Sequence, residues 1–161
     1  MVIINVAYTT AINPPSASPH LNPKQIWAGL QHKVRHAEEF VKPIESCQVL
    51  KEEENTVTRQ VKFAPGYSNT GKQLATEVCT EYEGVKVNFL QEDGSMIQNI
   101  VSEGENGELF LTYVFEWFRD DVKAGSEEEQ KLKTQYAPMA RMAVHGTLDT
   151  LRKMVQDGKI Q

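Results

Sequence analysis

The sequence predicts an α+β fold: a seven-stranded curved antiparallel sheet gripping one long C-terminal helix, with a helix pair after the first strand. Three observations lead there. Glu83-Gly84, Asp93-Gly94 and Asn106-Gly107 each separate runs rich in β-branched and aromatic residues, and Gly in that setting suits a tight hairpin turn with positive φ. Only one connection among the last six strands, Pro65–Gly71, is long, so neighbouring strands should be antiparallel. The segment after Ser126 repeats apolar residues at helical spacing over roughly thirty residues, about 45 Å of helix.

The elements follow in order. Val2 to Thr10 is rich in Val, Ile, Tyr and Thr and reads as the first strand. Pro14, Pro15, Ser16, Ser18 and Pro19 form a loop. Asn22 is an N-cap, with Pro23 at the first helical position. Ile26, Trp27, Leu30, Val34, Ala37, Phe40 and Val41 recur at helical spacing, giving an amphipathic helix, or two in tandem, from Pro23 to about Val41; Pro43 ends it. Six strands follow: Ile44–Glu53, Thr56–Ala64, Gln73–Tyr82, Val85–Glu92, Ser95–Ser102 and Glu108–Phe118. The Pro65–Gly71 connection carries Gly66, Asn69 and Gly71. Ser126 and Glu129 form a capping box for the last helix, and Gly158 is its stop. Its apolar face comprises Tyr136, Met139, Ala140, Ala143, Val144, Thr147, Leu148, Leu151, Met154 and Val155, and Pro138 should kink or interrupt it.

If each hairpin turn is a two-residue loop, the register follows by counting. Val78 then faces Phe89, Phe89 faces Gln98 and Gln98 faces Phe115. Tyr82 pairs with Val85, Val87 with Ile100, Ile100 with Tyr113 and Met96 with Trp117. One face carries Leu74, Val78, Tyr82, Val85, Val87, Phe89, Met96, Ile100, Leu111, Tyr113, Phe115 and Trp117. A slip of one residue turns a strand over. A sheet wrapped around a helix tends to leave a space between them, a usual place for a small ligand.

Composition narrows the class. A chain of 161 residues with 40% hydrophobic content fits one domain spanning 1–161, with a real core. Net charge is −5 and basic residues do not gather into a stripe, which argues against nucleic acid as a partner. No apolar run approaches the ~20 residues that span a bilayer. The first ten residues lack a basic region followed by an apolar stretch, so no secretory signal is expected. Cys47 and Cys79 fall on non-neighbouring strands, alternate away from the inner face and should stay free. Two free thiols without a signal suggest a cytoplasmic protein. Oligomeric state is left open by the sequence.

Several stretches carry a family resemblance. Ile26-Trp27-Ala28-Gly29-Leu30, Lys33-Val34-Arg35-His36-Ala37-Glu38, Gln91-Glu92-Asp93-Gly94-Ser95, Gly107-Glu108-Leu109 with Phe115-Glu116-Trp117, and Met142-Ala143-Val144 are similar to the AtaL-like family. The order of elements resembles the wider helix-grip group of START-like and birch-pollen-allergen-like proteins. The resemblance covers nearly the whole chain. It implies a cavity for an apolar small molecule, in a family found mostly in fungi and sometimes beside secondary-metabolite genes. It brings no catalytic motif.

The residues themselves suggest what such a cavity would use. Arg59 is in phase with Val57, Val61 and Phe63, hence inward, and a buried guanidinium must find a carboxylate, carbonyls, water or a ligand anion. With Glu77, Glu81 and Glu116 expected outward, Arg59 either anchors an acidic ligand group or meets a loop or water. Gln48, Thr76, Thr80, Gln91 and Gln98, with the hydroxyls of Tyr82 and Tyr113, share the predicted inner face. Phe89, Phe115, Trp117, Met139 and Ala143 supply apolar wall. His32 and His36 lie one turn apart, but beside Lys33 and Arg35 and without a third ligand they read as solvated helix face. His145 joins the polar face of the last helix, and His20 lies in a loop. Neither cysteine has a histidine placed beside it. No metal, phosphate-loop or cofactor signature is present. The expected function is binding of an apolar or aromatic small molecule, with Arg59 as anchor of an acidic group. The alternative is a metal-independent cyclase, isomerase or dehydratase acting on a polyketide-like metabolite in the same cavity.

Overall fold

A computed structural model describes residues 1–68 and 70–161; Asn69, part of the long connection, lies outside the described residues. Seven strands form one antiparallel sheet: β1 (Val2–Ala11), β2 (Ile44–Glu53), β3 (Thr56–Phe63), β4 (Leu74–Tyr82), β5 (Lys86–Gln91), β6 (Met96–Glu103) and β7 (Leu109–Arg119). Their spatial order is β1-β7-β6-β5-β4-β3-β2, so the first strand closes onto the last. Helix α1 (Pro23–Arg35) is followed by a single 3₁₀ turn (Ala37–Glu39), and α2 (Glu127–Gln156) is the long helix. The expected helix pair is thus a helix and one turn. None of these helices is long and apolar enough to cross a membrane.

The predicted caps form. Asn22 Oδ1 accepts from Gln25 N at 2.9 Å while Gln25 Oε1 accepts from Asn22 N at 3.0 Å. At α2 the box is half made: Ser126 Oγ accepts from Glu129 N, but the Glu129 carboxylate turns to Gly125 N at 2.7 Å. α2 runs through Pro138 as one helix.

The register differs from expectation, for one reason repeated three times. Tyr82 pairs with Lys86, Leu90 with Met96 and Glu103 with Leu109. Gln91 N donates to Ser95 O, and Gly104 N to Glu108 O, so each hairpin has a three-residue loop. Gly84, Gly94 and Gly107 take φ of 71°, 88° and 80°, the left-handed residue that a bulged hairpin loop needs. Each extra residue turns the next strand over. Counting back from β7, two such changes cancel at β5, so β5 and β7 face as predicted while β4 and β6 do not. Leu74, Val78, Tyr82, Met96, Gln98 and Ile100 therefore leave the predicted inner face, and Val85 lies in a turn. Their places are taken by Ala75, Glu77, Cys79 and Glu81 on β4, and by Ile97, Asn99 and Val101 on β6. Gln48 is lost to separate irregularities. Shifts between Ile44 and Ser46 and between Val49 and Lys51 bring Cys47 and Val49 opposite Val61 and Arg59 and leave Gln48 exposed.

The core has two main parts. α2 buries Ala140, Val144, Leu148, Leu151 and Met154 against Leu111, Tyr113 and Phe115 of β7 and against Ile12 and Ile26. α1 buries Leu30 and Val34 against Val57, Cys79, Val87 and Phe89. The helices meet at Gly29, where a Cβ would overlap Leu151 Cδ2. Leu151 is fully buried and has little room to move. Gly29→Ala should therefore cost about 1–3 kcal/mol by overpacking, despite alanine's better helix propensity. Urea denaturation reads it; an unchanged or raised midpoint contradicts this close approach.

Candidate functional site

A cavity of about 330 Å³ lies between the sheet and the middle of α2. Phe89, Ile97, Phe115 and Trp117 line it from the sheet, and Tyr136, Met139, Ala140 and Ala143 from α2. Trp117 stacks on Phe115, with ring centres 5.6 Å apart, and lies 5.9 Å from Tyr136. The connection after β3 contributes Tyr67, Ser68, Thr70 and Lys72. Tyr67 and Met139 are both solvent-exposed, which marks this side as the mouth.

Two polar clusters lie among the lining residues. In the first, Arg59 Nε and Nη2 donate to Glu77 Oε2 at 2.7 and 2.5 Å, and Nη1 donates to the Lys33 and Val34 carbonyls, each at 2.9 Å. Gln91 Nε2 donates to Glu77 Oε1 at 3.0 Å. Arg59 and Glu77 are only 4% and 3% exposed. Burial pulls the Arg59 pKa down, but the Glu77 carboxylate, with smaller contributions from Cys79 and Cys47, more than offsets it and the net shift is upward. Arg59 is thus a satisfied structural cation, and the inward carboxylate that the predicted register denied it is Glu77.

In the second cluster, Lys33 Nζ donates to Asn99 Oδ1 at 2.9 Å and to Tyr113 OH at 2.8 Å. Tyr113 OH donates onward to Thr147 Oγ1 at 2.6 Å. The Lys33 nitrogen also stands 4.4 Å from the centre of the Tyr113 ring. Lys33 is 7% exposed, and no carboxylate lies within ion-pair distance of it among the described residues. Burial, reinforced by the Arg59 charge, lowers its pKa from 10.5 to about 7. Burial also raises the Tyr113 pKa, so that phenol keeps its proton. Asn99 Nδ2 is buried without a hydrogen-bond partner among the described residues.

Of the predicted site residues, Arg59, Phe89, Tyr113, Phe115, Trp117, Met139 and Ala143 line the cavity; Gln48, Tyr82 and Gln98 do not. Tyr82 is 43% exposed, and Gln98 bonds Asn88 on the outer face. Of the other polar residues assigned to the inner face, Gln91 reaches the cavity while Thr76 and Thr80 do not. Lys33, Glu77 and Asn99 were missed. Glu77 and Asn99 were hidden by the turn lengths. Lys33 was readable: it lies seven residues after Ile26 and between Leu30 and Ala37, within the apolar stripe.

Other residues are also placed differently. Cys79 faces inward rather than outward, and burial pushes its thiol up to about 12, which rules it out as a ready nucleophile. Glu81 also faces inward and holds Arg35 at 2.7 Å. His145 is half-buried and hydrogen-bonds Tyr8 OH at 3.0 Å. His32 and His36 stack 4.5 Å apart, and Glu38 and Glu39 supply the neighbours that spacing alone did not show, with His32 paired to Glu39 at 3.1 Å.

A long helix held in a curved antiparallel sheet, with a cavity between them, defines the helix-grip class. The solved structures agree on the fold. The di-domain aromatase/cyclase StfQ of the steffimycin pathway matches 98% of this chain with a TM-score of 0.68 at 8% identity; this chain spans 52% of its length. The Zhui aromatase/cyclase from Streptomyces sp. R1128 matches 95% of this chain and 96% of its own, with a TM-score of 0.60 at 15% identity. The family described as acetylaranotin biosynthesis cluster protein L, AtaL, matches residues 6–158, and this chain belongs to it. Acetylaranotin biosynthesis cluster protein L of Aspergillus terreus is 26% identical over 159 residues, 98% of this chain and 93% of its own.

Proposed function

We propose that this protein binds an apolar or aromatic small molecule of secondary metabolism in the cavity, with an oxygen-bearing end of the ligand at Lys33, Asn99 and Tyr113. The observation that carries the reading is the combination of an aromatic wall with a buried lysine and an amide donor that have, among the described residues, no counter-ion and no acceptor respectively. Apolar walls with a few convergent polar groups are the usual form of a ligand site, and about 330 Å³ is at the lower end of the ~300–1,000 Å³ range of such sites. Arg59, spent on Glu77, hands the anchoring role to Lys33. The biosynthetic setting of the Aspergillus relative supports a metabolite as ligand, and two free cysteines suit a reducing cytoplasm.

The second reading is a cyclase, isomerase or dehydratase acting in the same cavity. Lys33 favours it, because an uncompensated buried amine beside an amide donor can stabilise an enolate oxygen. The shared fold with aromatase/cyclases is compatible with it.

Ala143→Trp tests the cavity common to both readings. Ala143 is a half-buried lining residue of α2, so an indole there should fill the space while the helix remains. Binding of the fluorescent probe anilinonaphthalene sulfonate should weaken roughly tenfold or more, about 1.4 kcal/mol, with unchanged far-ultraviolet circular dichroism. Equal probe binding by both proteins contradicts the assignment.

A further inference from the structure

We infer that the Lys33 amine is a nucleophile that condenses with a ketone or aldehyde of the bound molecule, which makes the ligand class a carbonyl compound held as a Schiff base. The inference rests on the cavity reading above and assigns the chemistry of its polar end.

The hydrogen-bond count is the first support. Tyr113 gives its only hydrogen to Thr147, so its oxygen accepts from Lys33, and Asn99 Oδ1 accepts a second N–H. An ammonium has three N–H groups and would leave one without an oxygen acceptor, facing only the Tyr113 and Phe89 rings. A neutral amine has two, both used, and retains a lone pair. The second support is charge. Glu77, the nearby carboxylate, is engaged by Arg59 and Gln91, and Arg59 adds a like charge beside Lys33. Lys33 faces Arg59 from β3, Glu77 and Cys79 from β4, and the Tyr113 phenol from β7. Burial and a neighbouring cation are the conditions that make a lysine nucleophilic at neutral pH. The third support is Asn99 Nδ2, a buried donor without an acceptor among the described residues, on the same side chain that bonds the amine. It can hold and polarise the oxygen of the carbonyl under attack.

The step balances without a co-reactant. The lone pair of Nζ forms the C–N bond while the carbonyl π pair moves to oxygen, which takes up the proton the nitrogen loses. The resulting hydroxyl leaves as water with a second proton from the nitrogen side, and C=N forms. Tyr113 and Thr147 form the hydrogen-bonded pair through which protons can pass at the nitrogen. Once its nitrogen takes up a proton from water, the Schiff base withdraws electrons from the adjacent carbon and acidifies its C–H, as carbon–carbon closure of an oxygenated chain requires.

The test uses the full-length protein at pH 7 with one equivalent of naphthaldehyde and sodium cyanoborohydride, followed by digestion and mass spectrometry. Surface lysines are overwhelmingly protonated at that pH, so the reduced adduct should sit on Lys33 in roughly tenfold or greater excess over any other lysine. Lys33→Met should lose that adduct and keep only background labelling. Naphthol, which has the same rings but no carbonyl, is titrated in parallel by its fluorescence. Naphthol binding without preferential Lys33 labelling overturns the Schiff-base inference and leaves the cavity reading standing. Failure of both binding and labelling overturns the two together.

Discussion

Glu77→Ala should destabilise the protein by about 3–5 kcal/mol, the usual cost of stranding one partner of a buried ion pair. Both partners are nearly inaccessible, and two of the guanidinium's N–H groups end on one Glu77 oxygen. After the substitution Arg59 keeps only the Lys33 and Val34 carbonyls, while Gln91 loses its acceptor and Lys33 its nearest favourable charge. Urea denaturation should show a large fall in midpoint. The more exposed Arg35–Glu52 pair is an internal control, because Glu52→Ala should cost about 1 kcal/mol or less. The double change Arg59→Leu with Glu77→Leu should recover most of the loss, since apolar replacement of a buried pair is often near neutral. Arg59→Leu with Glu77 intact should be as harmful as Glu77→Ala. A double variant as unstable as either single one contradicts the view that the pair is held together by mutual need.

Lys33→Met should stabilise the protein, and the gain should depend on pH. The folded-state pKa of about 7 lies below the ordinary value of 10.5. Between these values the unfolded chain binds a proton that the folded chain does not, so this group makes stability rise with pH. Below about pH 7 both states carry the charge and the full penalty applies; above about 10.5 neither does and the penalty is gone. The gap corresponds to roughly 5 kcal/mol at its upper limit. Methionine also strands Asn99 Oδ1 and the Tyr113 oxygen, at about 1–3 kcal/mol. The net gain should be a few kcal/mol at pH 6 and should vanish or reverse by pH 10. Melting temperatures of the two proteins across that range give the difference directly, and other titrating groups, Cys79 and Tyr113 included, largely cancel in it. A loss of stability at pH 6 would mean that Lys33 is held as a favourable cation.

These two sites also show what the sequence could and could not convey. The sheet, its antiparallel order and the long gripped helix were legible because hairpin glycines and helical periodicity are local signals. Facing direction was not, because it depends on turn length. A Gly at positive φ occurs in two- and three-residue loops alike, and one residue decides which side of a strand is inside. The aromatic column Phe89, Tyr113, Phe115 and Trp117 survived since it lies on β5 and β7, where the changes cancel. Glu77 and Asn99 did not, and without Glu77 the inward Arg59 looked like a ligand anchor. Lys33 is hidden for another reason: lysine is so seldom buried that its charge masks its place in the apolar stripe. The residues that carry the proposed chemistry are thus those that break the usual rule for their type.

The most direct test of the account is where a ligand sits. Amide chemical-shift mapping during a naphthol titration reports every element at once. A ligand between helix and sheet should give saturable shifts centred on Phe89, Asn99, Tyr113, Phe115, Ala140 and Ala143, with the outer-face residues Val78 and Leu90 unmoved. Shifts confined to the outer face of the sheet, or none in α2 and β7 at saturating naphthol, would contradict a ligand cavity between helix and sheet.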